Sequence, residues 1–555
     1  MKLVECVPNF SEGRDAAKID KIAEAIRSSG GVKLLDVDPG RDTNRTVMTF
    51  VGEPEPVLAA AFVAIARAAE LIDMAGHSGA HPRMGATDVC PFIPVSGVTM
   101  AECAELARRL GERVGRELGI PVYLYEEAAA RPERRNLADV RAGEYEGLAE
   151  KMAHPDWRPD YGPAEFNPGA GATVIGAREF LIAYNVNLNT RDPRLANEIA
   201  GRIRETGRPQ KDEQGRIIRD AGGEALRHPG LFEACKAVGW YMEDFGRAQI
   251  SINLTNYKIT PPHLAFEACC RIAGEMGARV TGSELVGLIP LEAMLEAGRH
   301  FLRRQGKSTG VSEAELVHIA VLSLGLNDLY PFEAEKKIIE YQLREKGPLV
   351  SMTLGEFARV LSSDTPTPGG GSVAALCGAL SGALTAMVGG VTHGKRGYED
   401  HFAEMEEIGT AAHALKEEFL LDVDRDTAAF NRVMEAFRLP KKSEPEKAAR
   451  QAAIEEATRG ATLVPLAVLR RCLPAAQLAR KAVQLGNKNS ISDAGVAALA
   501  VRTAAEGAYF NVCINLGGLG DEGFREETRR EAVQLRAGIE QEVQASIRLV
   551  EESFA

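Results

Sequence analysis

Apolar positions in the first part of the chain come in short runs of period two, separated by stretches with helical spacing. Residues 2–7 (KLVECV), 32–37 (VKLLDV), 45–52 (RTVMTFVG), 87–95 (TDVCPFIPV) and 121–126 (PVYLYE) read as strands. Residues 15–28, 55–73 and 99–118 read as helices, the first with Ala16, Ile19, Ile22, Ala23 and Ile26 near one face. The order is β-α-β-β-α-β with an added α-β. It returns as strand 179–188, helix 192–206, strands 236–242 and 247–254, helix 261–277, strand 278–291 and helix 291–303. Fragments repeat in step. CVPNFSEGRD, ending in Arg14-Asp15, parallels YNVNLNTRD, ending in Arg191-Asp192, and DVCPFIP (88–94) parallels ELVGLIP (284–290). Two copies of a split βαβ unit explain this, each sheet carrying helices on one face, the open faces lining a shared cleft. A polar insertion over 207–235 reads as a surface excursion.

From about residue 311 the strand pattern stops, and a Gly347-Pro348 breaker precedes helical spacing over 352–362, 372–392, 401–437, 444–471, 474–484, 493–512 and 523–552. The expected fold is therefore a duplicated split-βαβ (ferredoxin-like) α+β half followed by an all-α helical bundle. The expected limits are 1–180 and 181–341 for two subdomains, 342–350 for a linker and 351–555 for the bundle. Ser372 to Val391 is 20 residues without a charge, long enough for a bilayer. Its glycines, serines and alanines, with no aromatic belt, favour a helix buried in a bundle.

The 66 Lys+Arg against 78 Asp+Glu, net −12, argue against a general nucleic-acid binder. A local basic pocket for a small anion stays open. Nine scattered cysteines without a C-x-x-C predict neither a disulfide scaffold nor a zinc ribbon, but reduced thiols in a cytoplasmic protein. MKLVECVPNF lacks the apolar core of a signal peptide.

Candidate chemistry lies mostly in loops. In MAGHSGAHPRMGATD (74–88), His77 and His81 are four apart, but the glycines and Pro82 rule against a helix and H-E-x-x-H is absent. His81 before Pro82 is biased to an extended conformation, and its imidazole can serve as acid or base or simply hydrogen-bond loop backbone. Asp36, Asp38, Asp42, Asn44 and Arg45 cluster at a strand end, where carboxylates orient a histidine or serve turn chemistry. GPAEFNPGAGATVIG (162–176) allows close backbone approach to a flat ligand, or is a connector. TPTPGGGS (365–372) opens a helix with Ser372 as a plausible N-cap and no Walker lysine. In LLDVDRD, Asp422 and Asp426 share a helical face while Asp424 lies elsewhere. If that face is buried, their repulsion raises a pKa; if exposed, they are solvated charges.

LVECVPNFSEGRD, LLDVDPGRDTNRTVMTFVG, LIDMAGHSGAHPRMGATDVCPFIPV, VRAGEYEGL, FNPGAGATVIGAREFLIAYNVNLNT and SELVGLIPLEAML resemble glutamate formimidoyltransferase. PTPGGGSVAAL, LDVDRDTAAFNRVMEAFRLPK, GNKNSISDAGVAA and GAYFNVCINL resemble formimidoyltetrahydrofolate cyclodeaminase. Nearly the whole chain thus resembles the bifunctional formimidoyltransferase-cyclodeaminase family. The 207–235 insertion, longer than in the animal enzymes, is the main departure.

The resemblance implies histidine breakdown and one-carbon metabolism. A formimino group passes from N-formimino-L-glutamate to tetrahydrofolate. The product is then cyclised to methenyltetrahydrofolate with release of ammonia. It implies His81 as the transferase histidine, Asp38 as its companion and Asp426 as the cyclodeaminase aspartate. It implies folate contact by Gly162, Pro163, Ala164, Glu165, Phe166, Asn167, Pro168, Gly169, Ala170 and Gly171. It implies no tightly bound cofactor and no metal, tetrahydrofolate polyglutamate as co-substrate, and neither nucleic acid nor membrane as partner. It also implies a homo-oligomer with separate transferase and cyclodeaminase dimer contacts, often an octamer. Arg83, Arg134, Arg135 and Arg141 are candidate partners for substrate carboxylates in the first half, and Lys395, Arg396, Lys441 and Lys442 in the second. Two other readings remain: a methenyl-folate cyclohydrolase-like bundle, and a small-molecule sensor with the bundle as assembly module.

Overall fold

The computed structural model describes residues 2–41, 43–79, 81–344 and 347–555. Asp42 and two residues of the expected linker, Glu345 and Lys346, lie outside the described residues. The chain divides into two compact units, an α/β one running to Ala293 and taking in Leu324–Leu343, and a helical one of Met294–Ser323 and Arg344–Ala555.

The first unit holds two larger sheets. In one, β1 (Leu3–Cys6) and β2 (Asn9–Phe10) are separated by Val7 and Pro8, the proline lacking a ladder N–H. They lie between β4 (Arg45–Gly52), which pairs on its far side with β3 (Val32–Gly40), and β5 (Thr87–Ser96), all antiparallel. Beyond β5, β7 (Thr173–Ala177) and β6 (Val122–Glu126) add in parallel. The alternation seen in the sequence decides which side chains face where. Val4, Cys6, Met48, Phe50, Cys90 and Phe92 turn into a core with α1 (Ala16–Arg27), α2 (Pro54–Leu71) and α3 (Met100–Glu117). Each such fully buried large apolar side chain contributes roughly 1.5–3 kcal/mol. Their alternates Glu5, Val7, Asn9, Val47, Thr49, Val89 and Pro91 are left on the uncovered face.

The second sheet has the order β9 (Cys235–Met242), β10 (Arg247–Leu254), β8 (Ile182–Leu188), β11 (Val280–Val286), antiparallel throughout. The helices α4 (Pro193–Ile203) and α5 (Pro262–Glu275) pack on it. β11 is shorter than the expected 278–291 because Gly287 turns at φ +74 and a helix starts at Leu291. The 207–235 insertion is an exposed excursion in which Arg208–Pro209 pairs with Arg227–His228.

The second unit is a bundle of α6 (Gly370–Thr392), α7 (Phe402–Arg438), α8 (Glu444–Leu485), α9 (Ile491–Leu516) and α10 (Glu522–Phe554). The charge-free α6 packs against α7 and α9, its Gly378 set against the Phe419 ring where a Cβ would come within 2.6 Å. One sequence expectation changes here. The helices expected at 444–471 and 474–484 are one, with Pro465 and Pro474 inside it. An interior proline costs a helix one hydrogen bond, but Leu469, Cys472, Ala475, Ala476 and Ala479 are buried on both sides of Pro474 and hold the helix through it. Residues 294–323 group by their contacts with the helical unit. There the Thr309 hydroxyl donates to Glu406 and Gly310 backs onto the α7 backbone at Glu406.

Candidate functional site

The uncovered faces of the two sheets in the first unit bound a cavity of about 650 Å³. One wall carries the cross-strand row Asp38, Val47, Asn9 and Val89, with Asp36 and Thr49 paired further along and Glu5 beside Ile93 beyond them. The other wall carries the row Lys236, Asn253, Ala183 and Val286. His81 reaches in from its loop, and Arg45, Arg141, Arg178 and Lys236 supply positive charge.

The hydrogen bonds of His81 fix its tautomer. Nδ1 lies 2.7 Å from the Pro82 carbonyl, which can only accept, so Nδ1–H donates. Nε2 lies 2.8 Å from Arg45 Nη1, which can only donate, so Nε2 presents its lone pair. Burial, then the charges of Arg45 and Arg141, push the His81 pKa down to about 4. The imidazole is therefore neutral near pH 7, a base with its lone pair in the cavity. Asp36 titrates above the usual carboxylate range through burial and then the neighbouring Asp38.

The other histidine of the loop is structural. His77 Nε2 donates to the Asn44 carbonyl at 3.0 Å and Nδ1 accepts from Arg83 Nε at 3.2 Å. Asn44 is a clamp as well: its Oδ1 accepts from Gly13 N and its Nδ2 donates to Ser78 O.

In the helical unit the three aspartates of LLDVDRD have three surroundings. Asp422 is buried, accepting from Arg425 at 2.9 Å and Arg471 at 2.7 Å. Asp424 caps the 347–350 turn, accepting from Leu349 N and Val350 N. Asp426 has no cation paired with it among the described residues. It faces the start of α6, where Ser372 Oγ is 3.3 Å from Oδ2, and a Cβ on Gly371 would come within 2.1 Å of Oδ1. Burial, with a smaller push from Asp422, raises its pKa against the lowering effect of the Ser372 hydrogen bonds. Ser372 is not the N-cap expected of it. Gly369 is, and the buried Ser372 hydroxyl donates to Val423 O at 2.8 Å instead. These environments predict opposite effects. Asp422→Ala removes the buried acid shared by Arg471 and Arg425, leaves them only the half-exposed Glu418, and should destabilise the helical unit by about 2 kcal/mol, read as a lower denaturation midpoint. An unchanged midpoint would contradict this role.

Comparison with known proteins gives three adjoining matches. The family model described as Formiminotransferase domain, N-terminal subdomain, matches residues 3–178, Formiminotransferase domain matches 183–344, and Formiminotransferase-cyclodeaminase matches 353–534. The chain is 43% identical over 532 residues to the rat (Rattus norvegicus) protein named formimidoyltransferase-cyclodeaminase, covering 95% of each. The chain belongs to the formimidoyltransferase-cyclodeaminase family. Partial relatives divide along the same lines. Glutamate formimidoyltransferase of Streptococcus pyogenes is 43% identical over 54% of this chain and 94% of its own length. Methenyltetrahydrofolate cyclohydrolase of Methylorubrum extorquens is 41% identical over 33% of this chain and 89% of its own.

Seen as a formimidoyltransferase-cyclodeaminase, the chain brings His81 and Asp38 to one cavity and keeps Asp426 in the other unit. Gly162–Gly171 is elsewhere: none of its ten residues lines the cavity. It stitches down both flanks of the His81 loop, Gly169 O accepting from Met74 N and Ala170 O from Ala86 N, each at 2.9 Å. The Tyr145 hydroxyl holds Pro168 O at 2.7 Å.

Of the arginines expected to meet substrate, Arg83 is buried on Glu144 and Glu146, and Arg134 on Asp160 and two carbonyls. Arg135 is exposed beside Glu127, while Arg141 lines the cavity and pairs with buried Asp88. In the second half Lys395 donates to Asn487, and Arg396, Lys441 and Lys442 are exposed. Sequence reasoning missed Arg178, Lys236 and Glu5. The available signal for Glu5 was an acid alone among apolar residues in a strand.

Proposed function

We propose that residues 1–341 move a formimino group from N-formimino-L-glutamate to tetrahydrofolate, and that residues 351–555 cyclise the product to 5,10-methenyltetrahydrofolate with loss of ammonia. The observation that carries the reading is a neutral imidazole with its lone pair turned into a cation-lined cavity, in a chain of this family. Both steps exchange one amine for another at a single carbon, and an amine leaves readily only when protonated. In the first, folate N5 attacks the formimino carbon and its proton passes to His81 Nε2. The same proton then goes to the glutamate nitrogen as the C–N bond breaks. Arg45 must first release Nε2. A substrate carboxylate on Arg45 and Arg141 does this and also removes the repulsion that depresses the imidazole pKa. Asp38 steadies the cation so formed. In the second step folate N10 attacks the same carbon, Asp426 takes the N10 proton and returns it to the nitrogen that came with the group, and that nitrogen departs as ammonia.

Gly162–Gly171, which the family resemblance assigns to folate contact, acts in our reading by holding the His81 loop in place. We read the two halves of the first unit as duplicated split-βαβ, ferredoxin-like repeats. The strand order 2-3-1-4, counted within each half, supports this for both sheets. Tetrahydrofolate is then the co-substrate of the first step and its formimidoyl derivative the substrate of the second, and both belong to histidine degradation. A cytoplasmic setting fits nine free cysteines, and homo-oligomer formation fits the exposed Leu380, Val391, Leu499, Phe510 and Ile514 on α6 and α9.

A second reading rests on the Methylorubrum relative, in which the bundle opens a methenyl bridge with water. One coupled assay decides. With formimino-glutamate and tetrahydrofolate, the full chain should release glutamate and then ammonia in equal amounts. Glutamate without ammonia would remove the cyclodeaminase half of the proposal, and no glutamate would remove the transferase half.

A further inference from the structure

Glu5 is a buried group that the transfer step leaves unused. It sits on β1, wholly inaccessible to bulk solvent, and lines the cavity. Neither carboxyl oxygen has a hydrogen-bond partner among the described residues. A buried carboxyl left unpaired is costly, and such groups are retained where something completes them. Burial pushes its pKa up to about 8, against the pull of the Arg178 charge.

Its position limits what that partner is. Glu5 lies four residues from Asn9, in the row shared with Asp38 and Val47, so roughly 13 Å of strand separates it from the reacting end of the cavity. The reacting carbon must lie by His81, so whatever meets Glu5 is a remote part of a substrate. The remote end of formimino-glutamate carries carboxylates, and so does the tail of folate; neither suits an acid. The remote edge of the pterin bicycle is different. Its 2-amino group and adjacent ring nitrogens form a flat donor-bearing edge, which a carboxyl group matches with two parallel hydrogen bonds in either protonation state. A pterin with one hydrogen bond at each end spans about the distance available.

We propose that Glu5 binds the 2-amino edge of the pterin of tetrahydrofolate and so sets the ring's orientation, with N5 toward His81. This deepens the transferase reading and rests on it. The test uses the full chain, tetrahydrofolate, and its analogue lacking the 2-amino group. Glu5→Met keeps the length of the side chain but removes both hydrogen bonds, and should raise the KM for tetrahydrofolate ten- to hundredfold. The KM for formimino-glutamate should not move. Wild type should disfavour the 2-desamino analogue by a similar factor, and Glu5→Met should lose that discrimination. An unchanged folate KM, or a rise in the formimino-glutamate KM instead, overturns the proposal. So does wild-type indifference to the 2-amino group, a measurement that needs no variant and stands even if Glu5→Met fails to fold. Should wild type transfer nothing, the transferase reading fails by itself, and direct binding of the two pterins still decides Glu5.

Discussion

His81→Ala should lower the rate of glutamate release about a thousandfold, in the middle of the range for losing a positioned acid–base group. Ammonia release from supplied formimidoyl-tetrahydrofolate should continue at the wild-type rate, because that step belongs to a separate compact unit. The motive is geometric. Nδ1–H is committed to Pro82 O, so proton traffic has only Nε2 to use. The pH dependence sharpens the test. The base is active when neutral and its pKa in the free protein is about 4, so kcat/KM should fall only as pH drops through about 4. In the complex, substrate carboxylates offset Arg45 and Arg141, so the acid limb of kcat should lie at higher pH than that of kcat/KM. Glutamate release by His81→Ala within tenfold of wild type would end the assignment.

The same pKa has a stability consequence of definite sign. His81 binds its proton less readily in the folded state than in the unfolded chain. Its contribution is present above the unfolded pKa and lost as pH falls through the window down to about 4. His81→Asn should soften the acid sensitivity of the first unit in that window, seen as a smaller shift in melting temperature between pH 7 and pH 4.

What could be read from the sequence followed from periodicity. The strands, the repeated order of elements and the helical half came from local patterns. The alternation in KLVECV and RTVMTFVG already separated core positions from cavity positions. The imidazole was legible because Pro82 stiffens it and glycines surround it. The cations were not. Arg178 and Lys236 approach the same cavity as His81 only because two sheets turn their uncovered faces together, a relation with no local signature. Arg83 and Arg134 looked as suitable as Arg141, and only their burial on acids and carbonyls sets them apart. Pro474 misled for a related reason: a local helix breaker is overridden where the flanking turns are buried. Among the three aspartates of one helix, spacing indicated a shared face but not which acid was already neutralised.

That last distinction gives the second large effect. Asp426→Asn should abolish ammonia release, by a factor on the order of a hundred to ten thousand, and leave glutamate release unchanged, so that formimidoyl-tetrahydrofolate accumulates. Asn keeps the shape and a hydrogen-bonding oxygen toward Ser372 but cannot take the N10 proton. Because no cation among the described residues neutralises Asp426, its removal should cost the fold little. The Asp422 substitution should therefore move the denaturation midpoint, and the Asp426 substitution should move the chemistry. The raised pKa adds a check of sign. A base must be ionised, so cyclisation should fade on acidification at a pH above that at which an ordinary aspartate titrates, and this limb should vanish from the residual rate of Asp426→Asn. Ammonia release surviving at the wild-type rate, with the limb intact, would mean that another group moves the proton and that the carboxyl at the start of α6 is only a structural acceptor for Ser372.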